Sequence, residues 1–443
     1  MPLDRERLAG ALDDLARQFS PPRRYVIACS GGLDSAVLLH LLASLDDGVP
    51  RVALHIDHGL QAESAGWAET VKASSRQLGI DCTVMAVDVV ETGGGLEAAA
   101  RTARYAAFEA FVRAGDWLLT AQHRDDQAET LLLNLLRGSG ALGLAAMPPA
   151  RALGAGTLVR PLLDCGQAEI RAYAIERAID WTEDPTNSDC RFDRNFLRHN
   201  VMPVLASRWP GAAAGLARSA ELALDTQALL DALAAADLKH LGAANTERVP
   251  IPGLKQLDRR RQANLLRYAC RQQHLPLPPA PRLHEVLINV LHSADDAQPQ
   301  VAWPGASVRR FRDTLFLLPE ATEPPGVVPG RLTPDAAVDL GSGLGRLTLV
   351  AVPGTGIRPD VAEAGLDVRG RLGGERLRPS PATPTRRLKT LFQEAHVLPW
   401  MRDRIPLLEA DGHLVAVGDL WVDAQFQGEP GYAVDWAGKP ALM

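Results

Sequence analysis

The chain has 443 residues, a formal net charge of −6, and 46% hydrophobic against 23% charged residues. That length predicts two or three domains, and the composition argues against a disordered or membrane-embedded chain. The start, Met1-Pro2-Leu3-Asp4-Arg5-Glu6-Arg7, lacks the apolar stretch of a secretion signal and no long apolar run follows, so a cytoplasmic protein without a membrane partner is expected.

Residues Tyr25 to Cys29 form an apolar run that predicts a strand, and the helix after it places Val37, Leu38, Leu41, Leu42 and Leu45 on one side. The same order repeats with a strand at Arg51 to Asp57 and a helix at Ser64 to Leu78, then a strand at Cys82 to Val89 and a helix from about Leu96 to Arg113. A fourth unit follows, with Trp117 to Gln122 as strand and Asp125 to Arg137 as helix. Successive βα units predict an α/β domain whose parallel sheet is covered on both faces. A further strand is expected within Thr157 to Leu163, before a helix from Gln167 to Ala178.

From Gly211 to Leu241 the chain is rich in Ala and Leu, and the Arg-dense segment 255–271 also reads as helix, which predicts a separate helical domain. Pro and Gly crowd the stretch from Pro319 to Pro334, the composition of a linker. Short β-like runs at Leu347 to Val352 and His413 to Val417 then predict a small α+β domain. The expected boundaries are 1–215 for the catalytic domain, 216–325 for the helical domain, 326–365 for a linker and β segment, and 366–443 for the C-terminal domain.

Cys29, Cys82, Cys165, Cys190 and Cys270 are widely spaced, with no Cys-x-x-Cys pair, so neither a disulfide framework nor a zinc knuckle is expected. The acidic net charge conceals basic segments at 255–271 and 369–404, which suit a selective RNA partner or, read plainly, solvated helix faces.

Ser30-Gly31-Gly32-Leu33-Asp34-Ser35 lies between the first strand and its helix. Glycines permit positive φ and close backbone approach, so the N–H groups of Gly31, Gly32 and Leu33 can converge on anionic oxygens beside the positive end of the helix. A carboxylate at Asp34 would repel phosphate unless Mg²⁺ lies between them, which predicts a magnesium-bound nucleotide. The Lys of a Walker A loop is missing. A Gly-Gly turn followed by an Asp cap is the plainer alternative.

With this loop the chain resembles the N-type ATP pyrophosphatase superfamily, the PP-loop or adenine nucleotide α-hydrolase-like enzymes, whose members cleave ATP between the α- and β-phosphates. Four further segments resemble the tRNA(Ile)-lysidine synthetase family: His55 to Leu60, Glu97 to Tyr105, Ala121 to Thr130 running to Gly140, and Asp184 to Arg198. A fifth, Gly373 to Pro379 with Arg387-Leu388-Lys389 and Pro399-Trp400, resembles that family's C-terminal domain. The resemblance implies a ligase that adenylates the wobble cytidine of isoleucine tRNA with a CAU anticodon and then joins L-lysine to it, releasing AMP and pyrophosphate. It implies ATP held by Ser30, Gly31, Gly32, Leu33, Asp34, Ser35 and Ile56, Mg²⁺ at Asp34, and catalytic roles for Asp34, Arg104, His123 and Asp126. It further implies tRNA contacts from Arg194, Asn195, Arg198, Arg376, Arg378, Arg387 and Lys389. Homodimerisation stays open, as does which of Asp125 and Asp126 caps the helix and which faces the crevice. A tRNA thiolation enzyme with the same loop is the nearest rival, and a metal-dependent phosphohydrolase using His55, Asp57, His58, His123 and Asp126 a more distant one.

Overall fold

A computed structural model describes the chain except residues 1, 60, 62, 63, 91–94, 184, 185, 187, 188, 244, 295, 296, 321–325 and 443, and the side chains of Ala65 and Glu97. Leu60, Asp184, Pro185, Asn187 and Ser188 of the segments quoted above, and 321–325 of the expected linker, therefore lie outside the described residues. The chain divides into two units, Met1–Leu233 and Ala234–Met443.

In the first unit the elements run α1 (Arg5–Gln18), β1 (Arg24–Ala28), α2 (Leu33–Ala43), β2 (Arg51–Asp57), α3 (Ser64–Gln77), β3 (Asp81–Ala86), α4 (Leu96–Phe111), β4 (Asp116–Leu119) and α5 (Arg124–Leu136). They continue with α6 (Ala141–Leu144), β5 (Ala150–Leu153), β6 (Gly156–Val159), α7 (Gln167–Glu176), α8 (Asp193–Phe196), α9 (Met202–Arg208) and α10 (Ala212–His240), the last of which crosses into the second unit. The sheet order is β3-β2-β1-β4-β6-β5, parallel throughout except for the β5–β6 hairpin at one edge. That antiparallel edge strand was not anticipated from the sequence.

Side chains alternate between the two faces of the sheet, as a pleated strand requires. Tyr25, Ile27, Trp117 and Leu119 pack with α1 and α2, whereas Val26, Leu118 and Leu158 pack on the other face with Phe108 of α4. Helix α2 is buried nearly all round, with Val37, Leu38, Leu39, Leu41 and Leu42 at 3% exposure or less, and so reads as uniformly apolar. Because the chain travels outward through β2 and β3 and returns at β4, β1 and β4 become neighbours with a strand-order reversal between them. Ligands of open α/β sheets bind beyond the carboxyl ends of the strands at such a reversal.

In the second unit the segment expected to be wholly helical also holds an antiparallel sheet, β7 (Arg248–Pro250), β8 (Gln300–Trp303), β9 (Ala306–Phe311) and β10 (Thr314–Pro319), in the order β7-β10-β9-β8. The expected Arg-dense helix is present at Arg259–Gln272, where Asp258 caps the amides of Arg260 and Arg261 and Leu265, Leu266, Ala269 and Cys270 face the core. Beyond it lie two five-stranded antiparallel sheets and a two-stranded ribbon of Arg376–Leu377 with Arg386–Arg387. Among the described residues no helix is long and apolar enough to cross a membrane.

Candidate functional site

The loop after β1 is braced by its own side chains. Ser35 Oγ accepts the Ser30 amide at 3.2 Å, donates to the Gly32 carbonyl at 3.0 Å, and lies 3.1 Å from Ser30 Oγ. Gly31 adopts φ +90°, a conformation that strains any residue with a Cβ. The Gly32 amide donates to Ser30 Oγ at 3.3 Å. Gly32 is also the N-cap of α2 and has no side chain with which to cap it. The first-turn amides of Leu33, Asp34 and Ser35 thus have the free-donor geometry of a helix start, with the positive dipole end behind them. Replacing Gly31 by Ala is expected to raise the KM for ATP about tenfold and to cost about 1–2 kcal/mol of stability, through strain at positive φ. Pyrophosphate release against ATP concentration and a thermal melt check both.

Strand β2 runs past the end of its pairing with β1, which stops at Ala28 opposite Leu54. His55, Ile56 and Asp57 are still paired to β3 but border the crevice on their β1 side. His55 is buried and its Nδ1 lies 2.8 Å from the Cys29 carbonyl, a contact that ties the start of the loop to β2. Arg104 on α4 reaches His58, with Nε 3.2 Å from Nε2.

At β4 the chain passes through Gln122 into α5, and His123 is the N-cap of that helix. Its Nδ1 accepts the Asp125 amide at 3.2 Å, and Asp126 closes the capping box by accepting the His123 amide at 3.1 Å. Neither aspartate is the cap residue, as the sequence had led us to expect of one of them. Asp125 instead accepts the Gln167 amide at 2.9 Å, while Asp126 is turned inward at 9% exposure. Since Nδ1 is an acceptor here, the neutral His123 ring carries its proton on Nε2. That nitrogen lies 3.6 Å from Asp34 Oδ2 and 3.5 Å from Asp126 Oδ2, too far for a formal hydrogen bond but close enough for strong attraction. Burial alone would lower the His123 pKa, yet Asp34, Asp126 and Asp125 together raise it above its ordinary value.

Helix α8 continues into a wider π-type turn, Leu197–Val201, and the two together bring Arg194 and Arg198 over α5. Arg198 Nη2 donates to Asp126 Oδ1 at 2.9 Å and Arg194 Nη2 lies 3.2 Å from the same oxygen. Both guanidiniums also hold Glu129, which is 2% exposed and accepts from Arg198 Nε at 2.7 Å and Arg194 Nε at 2.9 Å. Burial would raise the Asp126 pKa, but His123, Arg194 and Arg198 hold it below the ordinary carboxylate value. Asn195 donates to the carbonyls of Thr186 and Asp189, ordering the turn that leads into α8. The side chains of Arg194, Asn195 and Arg198, expected to contact tRNA, are thus engaged by protein groups. Glu129 was missed in the sequence, although its place three residues after Asp126 puts both carboxylates on one face of α5.

Asp34 Oδ1 is buried and has no hydrogen-bond partner, as a carboxylate oxygen awaiting a cation would be. Among the described residues no group of three or more His, Cys, Asp or Glu is placed to share a metal ion. A cation held at Asp34 would therefore draw its remaining ligands from nucleotide oxygens and water, the usual arrangement for Mg²⁺.

In the second unit Arg376 and Arg387 stand directly opposite each other in the two-stranded ribbon, both exposed, with Lys389 exposed nearby in sequence. Arg378 donates to the carbonyls of Pro381 and Thr383 and so shapes its own turn. The thiols of Cys29, Cys165 and Cys270 are buried, and burial pushes all three pKa values up, those of Cys165 and Cys270 to about 11. Such thiols are poor nucleophiles. Brief iodoacetamide treatment of the folded protein at neutral pH should therefore alkylate the exposed Cys190 first, and peptide mass mapping that found Cys29 modified first would contradict the placement.

Three family models match the chain: a PP-loop domain over residues 5–205, a TilS substrate binding domain over 250–316, and a TilS substrate C-terminal domain over 366–436. Among curated proteins, the tRNA(Ile)-lysidine synthases of Alkalilimnicola ehrlichii and Methylococcus capsulatus are each 42% identical to it. The matches cover 95% of this chain, with 95% and 97% of the relatives. The protein of that name from Yersinia pestis is 37% identical over 96% of both chains.

Proposed function

The chain belongs to the tRNA(Ile)-lysidine synthase family, and from that membership we propose that it uses ATP to adenylate the wobble cytidine of isoleucine tRNA with a CAU anticodon and then joins the ε-amine of L-lysine to that base. The observation that carries this reading is the meeting of Asp34, His123 and Asp126 at the strand-order reversal, with 3.5–3.6 Å separating the imidazole from each carboxylate. It unites a nucleotide loop with a buried carboxylate able to orient an ammonium group.

The cytosine carbonyl oxygen is a poor leaving group until it bears AMP. The loop amides from Leu33 to Ser35 and the α2 dipole stabilise the pyrophosphate that departs in that step. When bound at Asp34, Mg²⁺ would neutralise charge on the phosphate oxygens. His123 Nε2–H, poised between two carboxylates, keeps Asp34 and Asp126 from repelling each other.

In the second step lysine's amine attacks the activated ring carbon, a C–N bond forms, and the C–O bond to AMP breaks. A carboxylate whose pKa is depressed attracts an ammonium well and accepts its proton poorly. Asp126 therefore orients the amine, and the proton that the ammonium sheds before attack passes to solvent. Arg194 and Arg198 are assigned to holding Asp126 ionised, and Asn195 to shaping their turn. Arg376, Arg387 and Lys389 are assigned to tRNA phosphates, because like charges placed opposite each other on a ribbon are relieved when an anion lies over them.

The test is to incubate the protein with ATP, labelled lysine and isoleucine tRNA transcripts. Label should enter the tRNA only when the wobble base is cytidine. Pyrophosphate release without label would assign another acceptor, and ADP with phosphate as products would overturn the adenylation reading.

A further inference from the structure

Three arginines gather around one tyrosine at the carboxyl edge of the sheet, away from the loop. Arg101 and Tyr105 lie one turn apart on α4, Arg151 is on the edge strand β5, and Arg160 directly follows β6. The guanidinium carbons of Arg101 and Arg151 lie 4.8 and 5.2 Å from the centre of the Tyr105 ring, and Arg101 Nη2 donates to its hydroxyl at 3.3 Å. Arg160 is 4% exposed and is held by the Gln122 side chain at 3.1 Å and the Pro148 carbonyl at 2.7 Å, both neutral acceptors. Among the described residues none of the three arginines makes an ion pair with a carboxylate.

Like charges collected without a counter-ion are costly in a partly desolvated setting, and burying a guanidinium against neutral acceptors adds to that cost. The effect reaches Tyr105. Burial would raise its phenol pKa, yet Arg101, Arg160 and Arg151 bring it below the ordinary value. Burial and the other two arginines likewise lower that of Arg160. The cluster is a local positive field without a carboxylate partner: Arg101 donates to the Tyr105 hydroxyl and Arg151 Nη1 to the Ala152 carbonyl at 3.1 Å, which leaves further N–H groups of both guanidiniums to donate.

We propose that Arg101, Arg151 and Arg160 around Tyr105 form a second phosphate site, which takes a backbone phosphodiester of the RNA substrate beside the target base. Arg101 and Arg151 make the contacts, and Arg160 supplies charge from beneath. The inference rests on the lysidine-forming reading. An RNA phosphate fits better than a phosphate of ATP because the cluster follows β6, two strands from β1 and so about 10 Å across the sheet. It also lies with α4 on the face opposite α2, whose start holds the loop. Gln122, which binds Arg160, immediately precedes His123, so the cluster adjoins the residues assigned to lysine. A flexible strand with one base in the pocket can reach the cluster with its next phosphates.

The experiment uses the full chain with Arg151→Ala and, separately, Arg101→Ala. Binding of an unmodified isoleucine tRNA transcript is measured by filter retention over a range of salt, alongside the KM for ATP. Each variant should weaken tRNA binding about tenfold and reduce the slope of log affinity against log salt by about one, with the KM for ATP unchanged in Arg151→Ala. Arg151→Lys, which keeps the charge, should restore most of the affinity, and a circular dichroism spectrum confirms that each variant is folded. Wild-type affinity and slope in both alanine variants would overturn the site and leave the proposed function standing. A raised KM for ATP with tRNA binding intact would also overturn it, assigning the arginines to the nucleotide. A wild-type chain that binds no tRNA would overturn both readings.

Discussion

Asp126→Asn is expected to lower lysine transfer by about 10²-fold while pyrophosphate release from ATP continues. The carboxylate is 9% exposed, and its Oδ1 faces Arg198 at 2.9 Å and Arg194 at 3.2 Å while Oδ2 receives the His123 amide at 3.1 Å. An amide of the same shape can keep only one of these faces, because its NH₂ must point at an arginine or at the His123 amide. The site then loses the negative charge that draws in an ammonium, whereas the amides that begin α2 are untouched. Single-turnover incorporation of labelled lysine, run beside a pyrophosphate assay, separates the two steps. Lysine transfer at the wild-type rate would remove Asp126 from the mechanism.

The same substitution has a pH signature. With its pKa held below the usual 3.8, Asp126 contributes stability that is complete above that value and is lost as pH falls through the depressed one. His123 runs the other way: its pKa is raised above 6.5, so its contribution is complete below 6.5 and fades as pH rises through the folded value. Asp126→Asn should therefore flatten the acid limb of a stability profile and weaken the loss on the alkaline side, because the imidazolium has one carboxylate fewer beside it.

What could be read in the sequence was local. The loop was legible because Gly31, Asp34 and Ser35 sit at fixed offsets between an apolar strand and an apolar helix, and their geometry depends on few residues beyond them. The βα alternation was legible for the same reason, since Tyr25 to Cys29 is an apolar run and α2 carries Val37, Leu38, Leu41 and Leu42 at helical spacing. Adjacency was not. Nothing in the order of the chain says that β4 returns beside β1, and only that return brings His123 to Asp34. The hairpin edge β5 escaped because Ala150–Leu153 is a four-residue run with an arginine in it and two prolines before it. The sheet in the middle segment escaped because β9 carries Arg309 and Arg310, which read as a polar stretch, although Arg310 is 1% exposed and held by the Ser293 and Arg312 carbonyls. The carboxylate partners of Arg194 and Arg198 were not legible, because helical spacing shows which residues share a face and not which way that face turns.

Glu129 is the clearest case, and its replacement is the second large expected effect. In sequence it sits in Asp126-Gln127-Ala128-Glu129-Thr130, which looks like an ordinary solvated face of a helix. In the structure it is 2% exposed and binds two guanidiniums at 2.7–2.9 Å. Glu129→Gln keeps the volume but removes the charge and turns an NH₂ toward arginine donors, leaving Asp126 alone to balance two partly buried cations. Breaking one partner of such a network costs about 3–5 kcal/mol. In a unit of this size that corresponds to a Tm lower by about 6–20 °C. The arginines also fix the direction of Asp126 Oδ1, so at a temperature where the variant remains folded the KM for lysine should rise more steeply than the KM for ATP. A purely structural role would lower both activities together in proportion to the folded fraction. Glu129→Asp, which restores the charge on a shorter stem, should recover part of the stability and little of the lysine affinity, since the guanidiniums would have to follow the carboxylate away from Asp126.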